Sequence, residues 1–471
     1  MLSSPRRLCL AFFCLLPLLA IPPAGATGLP IQIDGNFDDW TVAAEFATDP
    51  SGDAGTSGVD FTLLSVANDQ DWVFLRFNTW IGVQPHAQQN ISFALDTDVN
   101  AGTGASVGGI GAELVWNLGQ RNGTFYTPGA NSIDHQDLGF AIGPTVSGTE
   151  FELALSRSAN PNGLGALLPG NSFRVALLDA SGDVLTSGTY TLDSGSFPVP
   201  SLSLARQAAD HIRVVSWNIQ NDGLFDGGAT EAAQDRMFDA MDPDIIIVCE
   251  AWNSSASQVA SQIETLLPSG PGESWHAVKR DGGNVVVSRF AILNSWEINP
   301  GDRLTGVLLD LRPAHDSDLL VVANHWSCCT ADNNRQRQAD ATVAFLRDAR
   351  TPGGVITLSA DTPMLLAGDF NLVGWRAQLE TLLTGDIADN GTWGVDSPPD
   401  WDGSDLEDAN PRHPDQRMAY TWNSATSSFY PGKLDWLFYT GSVMTLYNHF
   451  VLDTRTMSTA SLAAAGLNSG D

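Results

Sequence analysis

Met364-Leu365-Leu366-Ala367-Gly368-Asp369-Phe370-Asn371 sets an apolar run and a glycine directly ahead of an acid, an aromatic ring and an amide. A short continuous apolar run bounded by turn residues reads as a strand buried on both faces. Such a strand delivers its last side chain to the edge of a sheet. Four other runs behave alike. Ile212–Trp217 leads to Asn218, Ile245–Cys249 to Glu250 and Leu319–Asn324 to His325, while Lys433–Tyr439 carries Asp435 within it. Helical patterns over Glu231–Met241, Ser257–Leu267 and Arg335–Arg350 lie between them, so buried strands and helices share one α/β domain. Singly, each polar residue has a plain structural reading: Asp369 as a turn former, Asn218 as a strand terminator, His325 as a satisfied histidine. In this order, five strand ends carry side chains suited to metal or phosphate chemistry.

Upstream the texture differs. Residues 29 to about 200 are rich in Gly, Thr, Ser and Asp, with short alternating segments Phe61–Ala67, Trp72–Phe77, Ile91–Leu95, Glu113–Asn117, Phe151–Leu155 and Phe173–Leu178. Turn residues separate them, the pattern of an antiparallel β-sandwich. The predicted organisation is a signal peptide over 1–26, a β-sandwich over 27–194, a linker over 195–210 and the α/β domain over 211–471. Arg6 and Arg7, the apolar run Leu8–Ile21 and Ala24-Gly25-Ala26 carry the first assignment, and the run is too short and too proline-broken to span a bilayer. Export to the extracellular space is therefore expected, with no integral membrane segment after cleavage.

The formal net charge is −31, and lysine occurs only at Lys279 and Lys433. Lys and Arg neutralising phosphates dominate ordinary nucleic-acid affinity, so this composition excludes a generic polyanion binder. Acidity of this kind keeps an exported protein soluble. The mature chain would keep Cys249, Cys328 and Cys329. That odd number leaves a vicinal Cys328–Cys329 bond or a Cys249 bridge open, with a structural disulfide expected for the pair. Adjacent cysteines lack the spacing of a zinc site.

Ser216-Trp217-Asn218-Ile219, Cys249-Glu250, Asn324-His325-Trp326, Gly368-Asp369-Phe370-Asn371 and Leu434-Asp435-Trp436 resemble the successive motifs of the endonuclease/exonuclease/phosphatase superfamily. Its members include pancreatic-type deoxyribonucleases, abasic-site endonucleases, sphingomyelinases and inositol-phosphate phosphatases. The resemblance implies a four-layer α-β-β-α sandwich of two packed, mostly antiparallel sheets flanked by helices. It also implies a metal-dependent phosphoric ester hydrolase, a phosphodiesterase acting on nucleic acid, with phospholipase C-like or phosphomonoesterase activity as the alternative enzyme. Glu250 and Asn218 would hold Mg²⁺, or Mn²⁺ or Ca²⁺. Asp369 would orient or deprotonate the attacking water, Asn371 would donate to charge developing on phosphorus, and His325 would bind a phosphate oxygen or protonate the leaving group. Arg335 and Arg337, near a helix start, are candidates for a further phosphate, with a solvated helix face as the other reading. Superfamily members end in a Ser-Asp-His motif whose histidine an aspartate orients. Asp435 matches that aspartate, yet no Asp-His pair follows it before Leu467-Asn468-Ser469-Gly470-Asp471. The expectation is a truncated sequence that is poorly stable and nearly inactive as it stands, or a binding protein on an incomplete enzyme scaffold.

Ile33-Asp34-Gly35-Asn36-Phe37-Asp38-Asp39-Trp40 and Leu95-Asp96-Thr97-Asp98-Val99-Asn100 resemble β-sandwich modules related to family-nine carbohydrate-binding domains. Trp40, Trp72, Trp80 and Trp116 are candidates for stacking on sugar rings, with at least two expected in the core. Asp96, Asp98 and Asn100 put oxygens on one side of a loop, as a structural Ca²⁺ requires; a metal-free Asp-rich turn is the other reading.

Overall fold

The computed structural model describes residues 29–42, 45–54, 58–86 and 91–471; the signal-peptide assignment lies outside them. The N-terminal part is a sandwich of two antiparallel sheets. One has the order Glu45–Thr48, Phe61–Asn68, Trp72–Val83, Gly148–Ser156, Ala141–Gly143. The other runs Val184–Thr186, Ser172–Asp179, Ile91–Asp96, Leu114–Asn117, Asn122–Phe125, Asn131–Ile133. The six predicted segments all became strands because alternation puts Phe61, Leu75, Phe77, Phe93, Leu95, Trp116, Phe151, Leu153, Phe173 and Val175 into one core. Each such side chain, fully buried, is worth about 1.5–3 kcal/mol. The motif ending in Trp40 is structural: Glu152 accepts hydrogen bonds from Asp34 N and Gly35 N, both at 2.8 Å, and from Trp40 Nε1 at 2.8 Å.

The C-terminal part contains β1 (Val214–Asn218), β2 (Ile245–Cys249), β3 (His276–Val278), β4 (Val285–Ser288), β5 (Ala291–Glu297), β6 (Leu304–Asp310), β7 (Asp318–His325), β8 (Met364–Asp369), β9 (Glu407–Asp408) and β10 (Asp435–Tyr439). Its main helices are α1 (Gly228–Met241), α2 (Ala256–Leu266), α3 (Asp332–Arg350) and α4 (Arg376–Thr384). One sheet has the order β1-β2-β4-β3, the other β5-β6-β7-β8-β10-β9; β1/β2 and β7/β8 are parallel pairs and the remainder antiparallel.

The period of two along each strand builds the layers. Ile246 and Val248 of β2 pack on Val259 and Ile263 of α2 and Phe238 of α1. Their neighbours Ile245, Ile247 and Cys249 face the second sheet, against Val307, Val321, Ala323, Leu365 and Ala367. On that sheet's far side Leu320, Val322, Met364 and Leu366 meet Ala339, Leu346, Leu379 and Leu382 of α3 and α4. Helix, sheet, sheet, helix is thus the layer order, as the motifs implied.

The two parts share a polar and aromatic seam. Tyr430 is buried in the sandwich core, where its hydroxyl donates to Leu118 O at 2.6 Å and accepts from Trp116 Nε1 at 3.0 Å. Arg417 pairs with the fully buried Asp69 at 3.1 Å. Residues 195–210 are not a free tether: Arg417 Nη2 donates to Phe197 O, Arg412 Nη2 to Pro200 O, and Leu202 N to Pro414 O. Thr145 Oγ1, Gln84 Nε2 and Ser147 N donate to the carbonyls of Leu372, Val373 and Gly374 respectively. The sandwich therefore supports the loop that directly follows Asn371.

Candidate active site

Strand register assembles the site. His325 and Asp369 are register partners at the ends of β7 and β8, Asp369 faces Asp435 across β8/β10, and Asn218 pairs with Cys249, one residue before Glu250. Residues separated by up to 217 positions in the chain are brought to one edge by backbone ladders alone. The two sheets then close on each other there. Asn218 Nδ2 donates to Glu250 Oε1 and to Asp369 Oδ2, both at 3.0 Å, so one amide joins the two sheets. The 217-residue span is the distance from Asn218 to Asp435 in the numbering.

Non-glycine residues with positive φ cluster at this edge: Gln220, Asn221, Asp222, Glu250 (φ 66), Arg303 and Asn371 (φ 49). Such conformations are uncommon and collect where surrounding structure holds a functional side chain. Glu250 is held by Asn221 N, which donates to Oε2 at 2.8 Å. Lys279 Nζ binds the carbonyls of Ala251, Trp252 and Ser254 and pins the loop behind it.

Electrostatics divide the groups. Asp369 is buried, and desolvation pushes its pKa up to about 6 against hydrogen bonds from Asn218 and Asn371 that lower it. A carboxyl raised to about 6 is mostly ionised at neutral pH. Asp435 is raised further, first by desolvation and then by the charge of Asp369. Thr421 Oγ1 donates to Asp435 Oδ2 at 2.8 Å, while Oδ1 has no hydrogen-bond partner and no solvent contact. His325 is lowered to about 4 by burial and by Arg303, so its imidazole is neutral. Its Nε2 stands 4.0 Å from Glu250 Oε1, and Nδ1 is buried without a partner. Asn371 N donates to Asp369 Oδ1 at 3.0 Å and Asn371 Nδ2 to Trp326 O at 3.2 Å.

The two arginines proposed for phosphate are both paired with protein groups. Arg335 is fully buried and spends its guanidinium on Gln378 Oε1, Ser327 O, Cys329 O and Asp332 Oδ1. It ties the first turn of α3 to α4, a job its polar sequence context did not reveal. Arg337 pairs with Asp302, itself 3 % exposed. Arg335→Met should cost about 1–3 kcal/mol, because it leaves the carbonyls of Ser327 and Cys329 and the Gln378 Oε1 without their donor. Urea unfolding would check this, and an unchanged midpoint would refute the bracing role. The structural disulfide expected at Cys328–Cys329 is also not present: all three described cysteines are free, with the exposed pair's sulfurs 2.7 Å apart and Cys249 buried.

Three residues near the site escaped sequence reading. Thr421 orients Asp435; Arg303 donates to the carbonyls of His325 and Trp326; Trp252 packs its ring 5.3 Å from that of His325 and lies under the Arg303 guanidinium. None stands in a motif, so no local signal marked them.

A four-layer sandwich with carboxylates, an amide and a neutral histidine converging at one sheet edge defines a hydrolase of phosphoric esters. The chain belongs to the Endonuclease/Exonuclease/phosphatase family, whose model matches residues 215–455. Among solved structures it is similar to a β-hairpin deletion mutant of β toxin from Staphylococcus aureus, at 13% identity over 52% of this chain and 92% of that one, TM-score 0.32. Sphingomyelinase C from Streptomyces griseocarneus is similar at 16% identity over 53% and 87%, TM-score 0.29. An endonuclease/exonuclease/phosphatase from Beutenbergia cavernae is similar at 20% identity over 49% and 64%, TM-score 0.29. No curated protein sequence matches the chain.

Proposed function

We propose that this chain is a secreted, divalent-metal-dependent phosphodiesterase that hydrolyses nucleic acid. The observation that carries the reading is the Asn218 amide bridging Glu250 and Asp369, with His325, Asn371 and Asp435 on the same edge. Glu250 and Asp369 gather carboxylate oxygens where, among the described residues, no Lys or Arg pairs with either. That donor set fits a hard cation, which Mg²⁺ satisfies with one or two carboxylates plus water and substrate phosphate. Glu250 would hold it beside Asn218, and the bound ion would polarise a phosphoryl oxygen. Asp369 orients a water and takes its proton. Asn371 places an amide donor beside Asp369, suited to charge developing on phosphorus. His325, neutral at working pH, serves as a hydrogen-bond donor to a phosphate oxygen in preference to a general acid. Trp252 and Arg303 set an aromatic face and a cation beside His325, the pairing on which bases stack.

Hydrolysis of plasmid DNA, RNA, sphingomyelin and p-nitrophenyl phosphate with Mg²⁺, in parallel with EDTA, tests the reading. Cleavage of DNA or RNA that EDTA abolishes and Glu250→Gln lowers by 10²-fold or more is expected. Cleavage of sphingomyelin or the monoester alone would move the assignment to the alternative substrates. Activity indifferent to EDTA and to Glu250→Gln would remove the metal from it.

A further inference from the structure

The sandwich domain holds a second acidic pocket, far in sequence from the catalytic edge. Asp96 ends the strand Ile91–Asp96, Asp98 stands in the loop after it, and Glu113 immediately precedes the strand Leu114–Asn117. One carboxylate oxygen from each lies within 4.8 Å of the other two. Ligand oxygens on opposite sides of a Ca²⁺ ion stand about 4.6–5.2 Å apart, twice the usual Ca–O distance. We infer that Asp96, Asp98 and Glu113 form a Ca²⁺ site that joins the 97–104 loop to the sandwich.

Two buried carboxylate oxygens without a hydrogen-bond donor support this independently of the clustering. Asp96 is 0 % exposed and Glu113 6 %, yet Asp96 Oδ2 and Glu113 Oε1 have no hydrogen-bond partner. Their other oxygens are committed: Asp96 Oδ1 accepts from Asn100 N at 3.0 Å, and Glu113 Oε2 from Thr97 N at 2.7 Å and Thr97 Oγ1 at 3.3 Å. Each acid thus turns one oxygen to the backbone and leaves the other free inside the protein. Buried carboxylate oxygens without partners are costly, and a metal ion is the usual remedy. Arg174 Nη1 stands 3.5 Å from Asp96 Oδ2, beyond good hydrogen-bond geometry, and one guanidinium against three carboxylates leaves the pocket negative.

The ligand set differs from that read in the loop alone. Asn100 Oδ1 accepts from Gly102 N at 3.0 Å, and its backbone N donates to Asp98 Oδ1 at 2.9 Å. Asn100 therefore shapes the loop, and Glu113 supplies the third charge. The approach is enforced by backbone packing: a Cβ on Gly104 would lie 2.1 Å from Ala112 O, so the loop is pressed against the residue preceding Glu113.

Calorimetric titration of the EDTA-stripped full chain with Ca²⁺ alone, paired with thermal melts, tests the site. The expected result is a Ca²⁺-binding event that Glu250→Gln retains and that Glu113→Gln and Asp98→Asn weaken at least 10-fold. Millimolar Ca²⁺ should raise the melting temperature by roughly 5 °C in the parent and in Glu250→Gln, and not in Asp98→Asn. Asp98 is exposed, so that variant folds and decides the matter even if Glu113→Gln does not. Equal Ca²⁺ heats and equal melting shifts in the parent and Asp98→Asn would overturn the assignment, as would the absence of any response in the parent.

Discussion

Asp369→Asn is expected to lower phosphodiester hydrolysis about 10²- to 10⁴-fold, the range for removing a general base, without unfolding the protein. The carboxylate is held at both oxygens, Oδ2 by Asn218 Nδ2 and Oδ1 by Asn371 N. An amide of the same shape keeps the packing, gives up one of these two hydrogen bonds because its NH2 cannot accept, and loses the proton acceptor. The pH dependence of stability separates this from a structural defect. In the metal-free protein the Asp369 pKa is raised from 3.8 to about 6. A raised carboxyl contributes stability that is complete below the unfolded value and is lost as pH climbs through the folded one. The parent should therefore lose stability relative to Asp369→Asn between pH 4 and pH 7. His325, lowered to about 4, contributes in the opposite direction, losing stability as pH falls from about 6.5, but it is common to both proteins and cancels in the difference. Melting temperatures of the two, measured in EDTA across that range, check the sign. A difference that stays constant with pH would refute the assignment of a strongly desolvated carboxylate here.

Gly368→Ala should be severely damaging both to stability and to the site. Gly368 sits at φ 140, a conformation L side chains rarely adopt, and an added Cβ would fall 1.9 Å from Asn324 O and 2.8 Å from Asn324 C. Both neighbours are backbone, on the strand that pairs Asn324 with Gly368 and His325 with Asp369. Relief requires β7 and β8 to part, which breaks ladder bonds and displaces two site residues together. A loss of about 3–5 kcal/mol is expected, the upper range for point substitutions with a named steric cause, along with loss of measurable turnover. Urea unfolding and hydrolysis assays on the same preparation check it. A variant with the parent's unfolding midpoint would show that the close approach of β7 and β8 is not required.

The catalytic fold was legible in the sequence because it rests on strand-length apolar runs. Ile245–Cys249 and Met364–Asp369 are buried along their whole length, and no tertiary accident is needed to make such runs strands. The candidate site was legible for a related reason: Asn218, Glu250, His325 and Asp369 stand at the ends of those runs, where a sheet edge must be, and Asp435 within its own. The arginines were not. A charged residue on a helix start reads as solvated, and Arg335 instead satisfies each of its donor groups internally. The tryptophans split as expected, with Trp40 and Trp116 at 1 % and 0 % exposure and Trp80 at 62 %. Sequence could number the buried ones and not name them, since burial depends on which face of a strand meets the opposite sheet.

By itself the sequence determined the order of elements, the two-part organisation and the chemical types gathered at one edge, because period and residue type are local properties. Only the tertiary structure decided that Asn218 bridges Glu250 and Asp369, that Thr421 orients Asp435 and that Glu113 joins Asp96 and Asp98. It also decided that Thr145, Gln84 and Ser147 of the sandwich support the loop after Asn371. These contacts join residues far apart in the chain through strand register and sheet stacking. Their partners are chosen by the closing of the two sheets and the seam between the domains, and no spacing along the chain records that choice.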